Sequence, residues 1–455
     1  MSRPRRLGAP TQVRLPLLVV LTTAFLGGCM GVAVETDPQA MMSTDAAVHS
    51  EPEDSGAPLD AGASSTPHAG GVADAGSAVD SGAMTPVDAG LMVDAGPSLV
   101  EVFVMIGKQG RRAISCDDGT TWVNDVAFDD ALAVPLRYRC WAGDFVLPDG
   151  GTQSTDCDHN GWSSTSLTAL DGVLMHTMGW GAPGTFHRST DGVSWANVFT
   201  GANVQGILAG PTRWVSATRS SKVSTDRGLT WANGPEVMLA NGTNTIWNVR
   251  GGGVGGGTMI VVAQDGQNTD WQISRDEGVT WHRPTLVGGG RVDGCGAASP
   301  VFGNGVWVSA SWNNTASRMV MCRSTDNGAT WSLQQGPNEY IESRVLWTGS
   351  TFMAWSNSSL FRSTDGLTWT STRTMTRRDG ALVGGSPNIG AVARNPTTGT
   401  FAAVRGGWNV WYQDQRFYRS SDGITWDELP ESAARRSHPV THMVFARVQR
   451  STVCR

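Results

Sequence analysis

VLWTGSTFMAWSNSSLFRSTDGLTW, residues Val345–Trp369, decides the fold of this 455-residue chain. It reads as a short apolar strand, a turn holding Gly349, a second apolar strand, a variable loop and a third strand. The tight turn Ser363-Thr364-Asp365-Gly366 follows, and an outgoing strand headed by Trp369 closes the unit. The closing signature, Ser-x-Asp-(x)-Gly-x-Thr/Ser-Trp, recurs from Ser115, Ser189, Ser224, Ser274, Ser324, Ser363 and Ser420. Its mean spacing, about 51 residues, is the length of one propeller blade. The expectation is an all-β, seven-bladed β-propeller of four-stranded antiparallel blades.

Each position of the signature has a task in a tight turn between antiparallel strands. The carboxylates of Asp117, Asp191, Asp226, Asp276, Asp326, Asp365 and Asp422 accept backbone N–H groups of their own turns, and the glycine supplies a positive φ. The closing tryptophans (Trp122, Trp195, Trp231, Trp281, Trp331, Trp369 and Trp426) bury large rings beside the neighbouring sheet. A side chain repeated in seven equivalent turns belongs to the fold, not to a single active site. The copies at Ser189, Ser363 and Ser420 lack the variable residue between Asp and Gly.

The pattern resembles the Asp-box, or bacterial neuraminidase, repeat of sialidases, several other glycosidases and many non-enzymatic propellers. The likeness covers residues 98–455.

The first unit holds only LVEVFVMIG, RRAIS and TTW, so it lacks an inner strand, while the spare apolar run Val440–Val448 follows the last unit. If that run completes blade one, the ring closes without an exposed edge and Cys454 arrives beside Cys116. The six cysteines after Cys29 allow fifteen pairings; Cys116–Cys454, Cys140–Cys157 and Cys295–Cys322 are the preferred set.

Residues 1–29 run from four arginines through LPLLVVLTTAFL to Leu26-Gly27-Gly28-Cys29, the order of a signal peptide. The last four residues resemble a bacterial lipoprotein box, which implies lipidation of Cys29. Met30 at the next position implies sorting to the outer membrane, facing either the periplasm or the outside. Residues 30–97 contain no aromatic residue, Lys or Arg, repeat Asp-Ala-Gly at Asp60, Asp74, Asp88 and Asp94, and read as a disordered tether. Eleven of the 40 acidic residues fall there, leaving 29 against 30 basic residues in the propeller. Near-neutrality gives no sign of a nucleic-acid-binding surface, and no nucleic-acid partner is expected. The expected propeller is a monomer with no cofactor and no metal. His438 with His442, and Cys157-Asp158-His159, lack further ligands at metal spacing. The run Gly251–Gly257, GGGVGGG, reads as a flexible turn between a first and a second strand.

Strand order sorts the loops onto two faces. The signature turns share one face with the turns between first and second strands. Loops between second and third strands share the other with the blade-to-blade connections, and that second face is the candidate ligand face. Trp180, Trp312, Trp355, Trp408 and Trp411 fall at or beyond the ends of second strands, where rings suit stacking on sugars or gripping a peptide; packing between blades is the alternative. The resemblance to sialidases implies three arginines for a substrate carboxylate, a tyrosine nucleophile activated by glutamate, and an aspartate acid/base. The Phe/Tyr-Arg-Ile-Pro motif of that family is absent, and Glu339, Tyr340, Glu342 and Arg344 are the nearest approach to its chemistry. The expectation is a non-catalytic, envelope-anchored propeller binding a glycan, peptide or protein. A glycoside hydrolase with an atypical site is the runner-up, and an assembly factor for an envelope complex the third reading.

Overall fold

A computed structural model describes residues 98–454 apart from 108–109, 127–143, 147–151, 155–163, 179–183, 202–204, 219–220, 238–247, 266–267, 297, 314–317, 342, 407–415 and 431–439. Among the described residues its regular elements are the strands of seven blades, a separate two-stranded hairpin of Asp144–Val146 with Thr152–Ser154, and a short 3-10 turn at Val292–Cys295. No described helix is long and apolar enough to cross a membrane. The first strands of successive blades are Ser164–Leu170, Leu208–Ala209, Asn248–Gly255, Val301–Gly303, Leu346–Trp347 and Ile389–Arg394 for blades two to seven. Val440–Gln449 serves as the first strand of blade one, and these strands touch one another in order from blade seven through blade one to blade six.

Ring closure follows the sequence expectation. Leu99–Gly107 pairs antiparallel with Val440–Gln449, from Leu99 opposite Gln449 to Gly107 opposite Val440. Arg112–Ser115 and Val123–Val126 complete the blade, so both ends of the folded chain share one sheet. The Cys116–Cys454 disulfide locks this junction, and Cys295–Cys322 ties the connection before blade five to its third strand. Cys140 and Cys157 lie outside the described residues, as do Cys29 and the tether.

The signature turns show why the repeat needs each of its residues. At Ser324 the hydroxyl donates to Asp326 Oδ1 (2.8 Å) and accepts Gly328 N–H (2.9 Å). Thr330 donates its N–H to Oδ1 (2.9 Å) and its hydroxyl to Oδ2 (2.7 Å). In the shorter turns the same oxygen takes two successive backbone N–H groups instead, those of Leu367 and Thr368 on Asp365 at 2.8 Å each. The longer turns put the variable residue, for example Asn327 at φ 55°, in the left-handed region as well as the glycine. Five of the closing tryptophans donate their ring N–H back to the turn glycine carbonyl, Trp331 at 2.9 Å and Trp426 at 3.0 Å among them.

Packing joins consecutive blades. Seven apolar clusters each span two neighbours and each holds one closing tryptophan: Trp331 packs with Ile260 and Trp271 of blade four, Trp426 with Trp355 and Leu360 of blade six. The turn glycines sit against the preceding blade, Gly228 on Met175 and Gly366 on Val308, at positions a Cβ would fill. A second tie was not foreseen: Arg188 donates through Nε to the Arg227 carbonyl (3.0 Å), Arg323 to that of Asp365 (2.7 Å) and Arg419 to that of Asp118 (2.9 Å). Each arginine immediately precedes a signature serine and reaches the next signature turn round the ring, where the Arg419–Asp118 pair tethers blade seven to blade one.

One expectation is corrected. Gly251–Gly257 is not a flexible turn: Asn248–Gly255 is the first strand of blade four, with only Gly256 and Gly257 turning. Side chains at Gly251 or Gly253 would run into Ser299 or Pro300 at the start of blade five, so the glycines permit close approach of inner strands. The fourth strand of blade four shrinks to one bridge, Ile273 with His282. Blades five and seven gain outer strands from the preceding connections, Thr285–Leu286 and the hairpin Met375–Arg378 with Ala381–Leu382, both pairing in parallel with a fourth strand.

Two outcomes follow. The turn hydrogen bonds, working against burial that raises it, hold the pKa of Asp226 and of Asp276 at about 2 against an ordinary 3.8. A depressed carboxylate pKa contributes stability present above the unfolded value and lost as pH falls through the folded one. Chemical denaturation at graded pH should therefore show stability falling from about pH 4 towards pH 2, and the D226N/D276N variant should show a shallower fall. Replacing Cys454 by Ser should lower stability by about 2–5 kcal/mol, read as a shifted denaturation midpoint.

Candidate ligand face

The connection from Gln335 into blade six runs beside the second strand of that blade, Phe352–Trp355. Ile341 bridges to Ser356, and Ser343 accepts the Trp355 N–H through Oγ (2.7 Å). Glu339, Tyr340 and Arg344 are thus placed on the face opposite the signature turns, beside the loop between second and third strands.

Glu339 is occupied. Ser356 Oγ and Ser358 Oγ donate to its Oε2 at 2.5 and 3.0 Å, and Ser359 Oγ to Oε1 at 3.3 Å. Burial raises its pKa, but the three hydroxyls outweigh burial and hold the carboxyl below its ordinary value. A carboxylate fixed this way stays ionised and buttresses the loop; its lone pairs point at serines. Tyr340 is 37% exposed, and its ring lies 5.8 Å from Trp312 at an interplanar angle of 50°. Trp312 is half-buried near the end of the second strand of blade five, so blades five and six present a mixed aromatic pair on this face. Glu342 lies outside the described residues.

Arg344 extends towards the axis. Its Nη2 donates to His442 Nε2 (2.9 Å), although His442 belongs to the inner strand of blade one, two blades further round the ring. Arg344 keeps wide contact with water, yet enough protein surrounds it that dry surroundings lower its pKa. The bond to His442, on the inner strand of blade one, places the end of the Arg344 side chain on the axial side of the ring. Further basic groups border His442. Ile106 pairs with His442 on one side and Arg112 on the other, forming one row across blade one. His176 and His187 are paired in the adjoining blade two. Burial, then the positive charges of His187, Arg112 and His442, push the His176 pKa well below its usual value, and burial with Arg112 lowers that of His187 to about 4.

The five tryptophans separate. Trp312 faces the ligand side with Tyr340. Trp355 does not: it is fully buried between blades six and seven and donates its ring N–H to Gly423 (2.8 Å), so no ligand can stack on it. Trp180, Trp408 and Trp411 lie outside the described residues. Among the described residues no three His, Cys, Asp or Glu side chains converge as metal ligands, and His438 and the Cys157-Asp158-His159 run fall outside them. The seven signature aspartates are all engaged by their own turns on the opposite face. The meeting of Arg344 with His442 was missed in the sequence. The two lie 98 residues apart, and only the closing of the ring brings them together.

No family model and no curated protein matches the chain. Among solved structures it resembles a GH74 enzyme of Niastella koreensis (14% identity, TM-score 0.43, 64% of this chain and 44% of that one). It also resembles a GH74 xyloglucanase from Xanthomonas campestris (16% identity, TM-score 0.42, 76% and 52%). A protein from Lactobacillus plantarum is similar at 12% identity and TM-score 0.46, over 76% of this chain and 99% of that one. The chain spans less than two thirds of either GH74 protein.

Replacing Glu339 by Ala should remove the carboxylate that Ser356, Ser358 and Ser359 share and cost about 1–3 kcal/mol of stability in denaturation. The glutamine variant, which keeps one acceptor oxygen, should lose less.

Proposed function

We propose that this protein is a non-catalytic binding propeller, displayed at the cell envelope, that takes a glycan on the face bearing Trp312 and Tyr340. The observation that carries the reading is the pairing of an accessible aromatic platform with a neighbouring carboxylate already consumed by the fold. Tyr340 and Trp312 offer ring surface of the kind that stacks on sugar rings, while Glu339 is held by Ser356, Ser358 and Ser359. A glutamate activating a tyrosine nucleophile would have to release those hydroxyls. This disfavours the sialidase-like use of Glu339, Tyr340, Glu342 and Arg344.

Export and anchoring belong to the same proposal. The signature turns support membership of the Asp-box repeat class through the hydrogen bonds their Ser, Asp, Gly and Thr residues make. The run Leu26-Gly27-Gly28-Cys29 supports lipidation at Cys29 and outer-membrane sorting, the disulfides suit an oxidising compartment, and residues 30–97 are long enough to hold a propeller clear of a bilayer.

A glycan array run on the full-length protein, alongside a panel of fluorogenic glycosides, tests the reading. Binding without turnover is expected, and Trp312→Ala should weaken it about tenfold. Turnover of a glycoside would overturn the proposal in favour of a hydrolase; a stable copurifying protein with no glycan bound would replace it with an assembly role.

A further inference from the structure

We infer that the Arg344–His442 hydrogen bond is a pH-sensitive strut, which holds the connection carrying Tyr340 while His442 is neutral and lets it go when His442 takes a proton. The bond by itself fixes the protonation state. A guanidinium has donors only, so His442 Nε2, 2.9 Å from Arg344 Nη2, supplies a lone pair. The ring proton then sits on Nδ1 and is donated to Thr441 Oγ1 at 2.9 Å. A second proton, on Nε2, turns the acceptor into a donor and sets two cations face to face. The bond is therefore present above the range in which an imidazole titrates, ordinarily about pH 6.5, and lost as pH falls through it.

The strut stands where the inner ring is held least. Among the described residues, the inner strands of blades six and seven, Leu346–Trp347 and Ile389–Arg394, touch less than any other neighbouring pair. Arg344, two residues before the first of these, reaches past blade seven to blade one. The other fastening of the connection does not respond over the same range, because three serine hydroxyls hold the Glu339 carboxyl below its ordinary value. The groups around His442 are mainly basic. Leu99–Gly107 beside it has one charged residue, Glu101, opposite Arg447 at the far end. Arg112 shares its row, and Arg111 in the adjoining loop is paired with Asp125 at 2.8 Å. The inner strand of blade two, Ser164–Leu170, carries no charge, and burial keeps His176 and His187 behind it neutral, with His187 lowered to about 4. Blade seven brings Arg394, directed to the Thr348 carbonyl at 3.0 Å, and Arg405 at the end of its second strand. His442 is thus the imidazole of this group whose proton changes a bond between blades.

Hydrogen exchange on the full-length protein, read as protection factors for the amides of residues 343–345, tests this. Once intrinsic rates are divided out, protection should fall roughly tenfold between about pH 8 and about pH 5. Arg344→Met should show the low value at both, and His442→Gln, whose amide does not titrate, should show no change between them. Nitrogen NMR at the higher pH should find His442 as its Nδ1–H tautomer. Equal protection at the two pH values in the parent, a fall that survives either substitution, or the Nε2–H tautomer would overturn the strut. What release does to a bound glycan rests on the binding reading above, whereas the exchange is read without a ligand. If exchange responds and no glycan is bound, the strut stands and the binding reading fails; if a glycan is bound and exchange does not respond, the reverse holds.

Discussion

Every blade in this ring is positioned by a glycine that has no side chain to put in the way. In each signature turn the glycine lies in the left-handed region, which an L residue with a Cβ adopts only under strain. The same glycine also lies against the preceding blade: Gly119 on Ala402, Gly192 on Ile114, Gly278 on Val215, Gly423 on Trp355. One residue thus satisfies two constraints, the reversal of the chain and the approach of two sheets. The aspartate holds the turn closed around it, and the tryptophan after it fills the space that the close approach creates. The clusters around Trp231, Trp281 and Trp369 show the same arrangement at three separate junctions.

A ring built from such junctions has one weak place, where its ends meet. Here three devices coincide. The antiparallel pairing of Leu99–Gly107 with Val440–Gln449 removes the free edges, the Cys116–Cys454 bond links residues 338 apart, and Asp118 gathers Arg419, Asn395, Thr398 and Thr400 from blade seven. Asp118 is the variable residue of the first signature turn, a position filled by Arg, Glu or Asn in the other long turns, so this closure is particular to blade one. A carboxylate here gives the junction a charge-assisted tie as well as a covalent one.

The face opposite the signature turns obeys different rules. Its residues come from connections and from loops between second and third strands, which the repeat leaves free to vary. Glu339, Tyr340 and Arg344 stand within six residues of one another, yet the structure gives them three separate surroundings. One is absorbed by serines, one pairs with Trp312 of the preceding blade, and one crosses to His442 at the axis. Proximity in the chain said nothing about how different those surroundings are. Trp355 makes the converse point. It stands three residues beyond the residue paired with its signature serine, where Trp312 stands five beyond, and the neighbouring Gly423 leaves a slot that its ring fills.

The sequence by itself determined the number of blades, the order of strands and the closing strand, because each is written in a local signal that repeats or in a unit visibly missing its strand. Apolar runs, turn glycines and signature aspartates act through neighbours a few residues away, so their spacing carries the information. Only the tertiary structure decided that the run from Gly251 forms an inner strand, that arginines bridge successive turns, and that Arg344 meets His442. Those outcomes depend on the distance between blades at the axis and on side chains brought together across the ring, and no spacing along the chain encodes either.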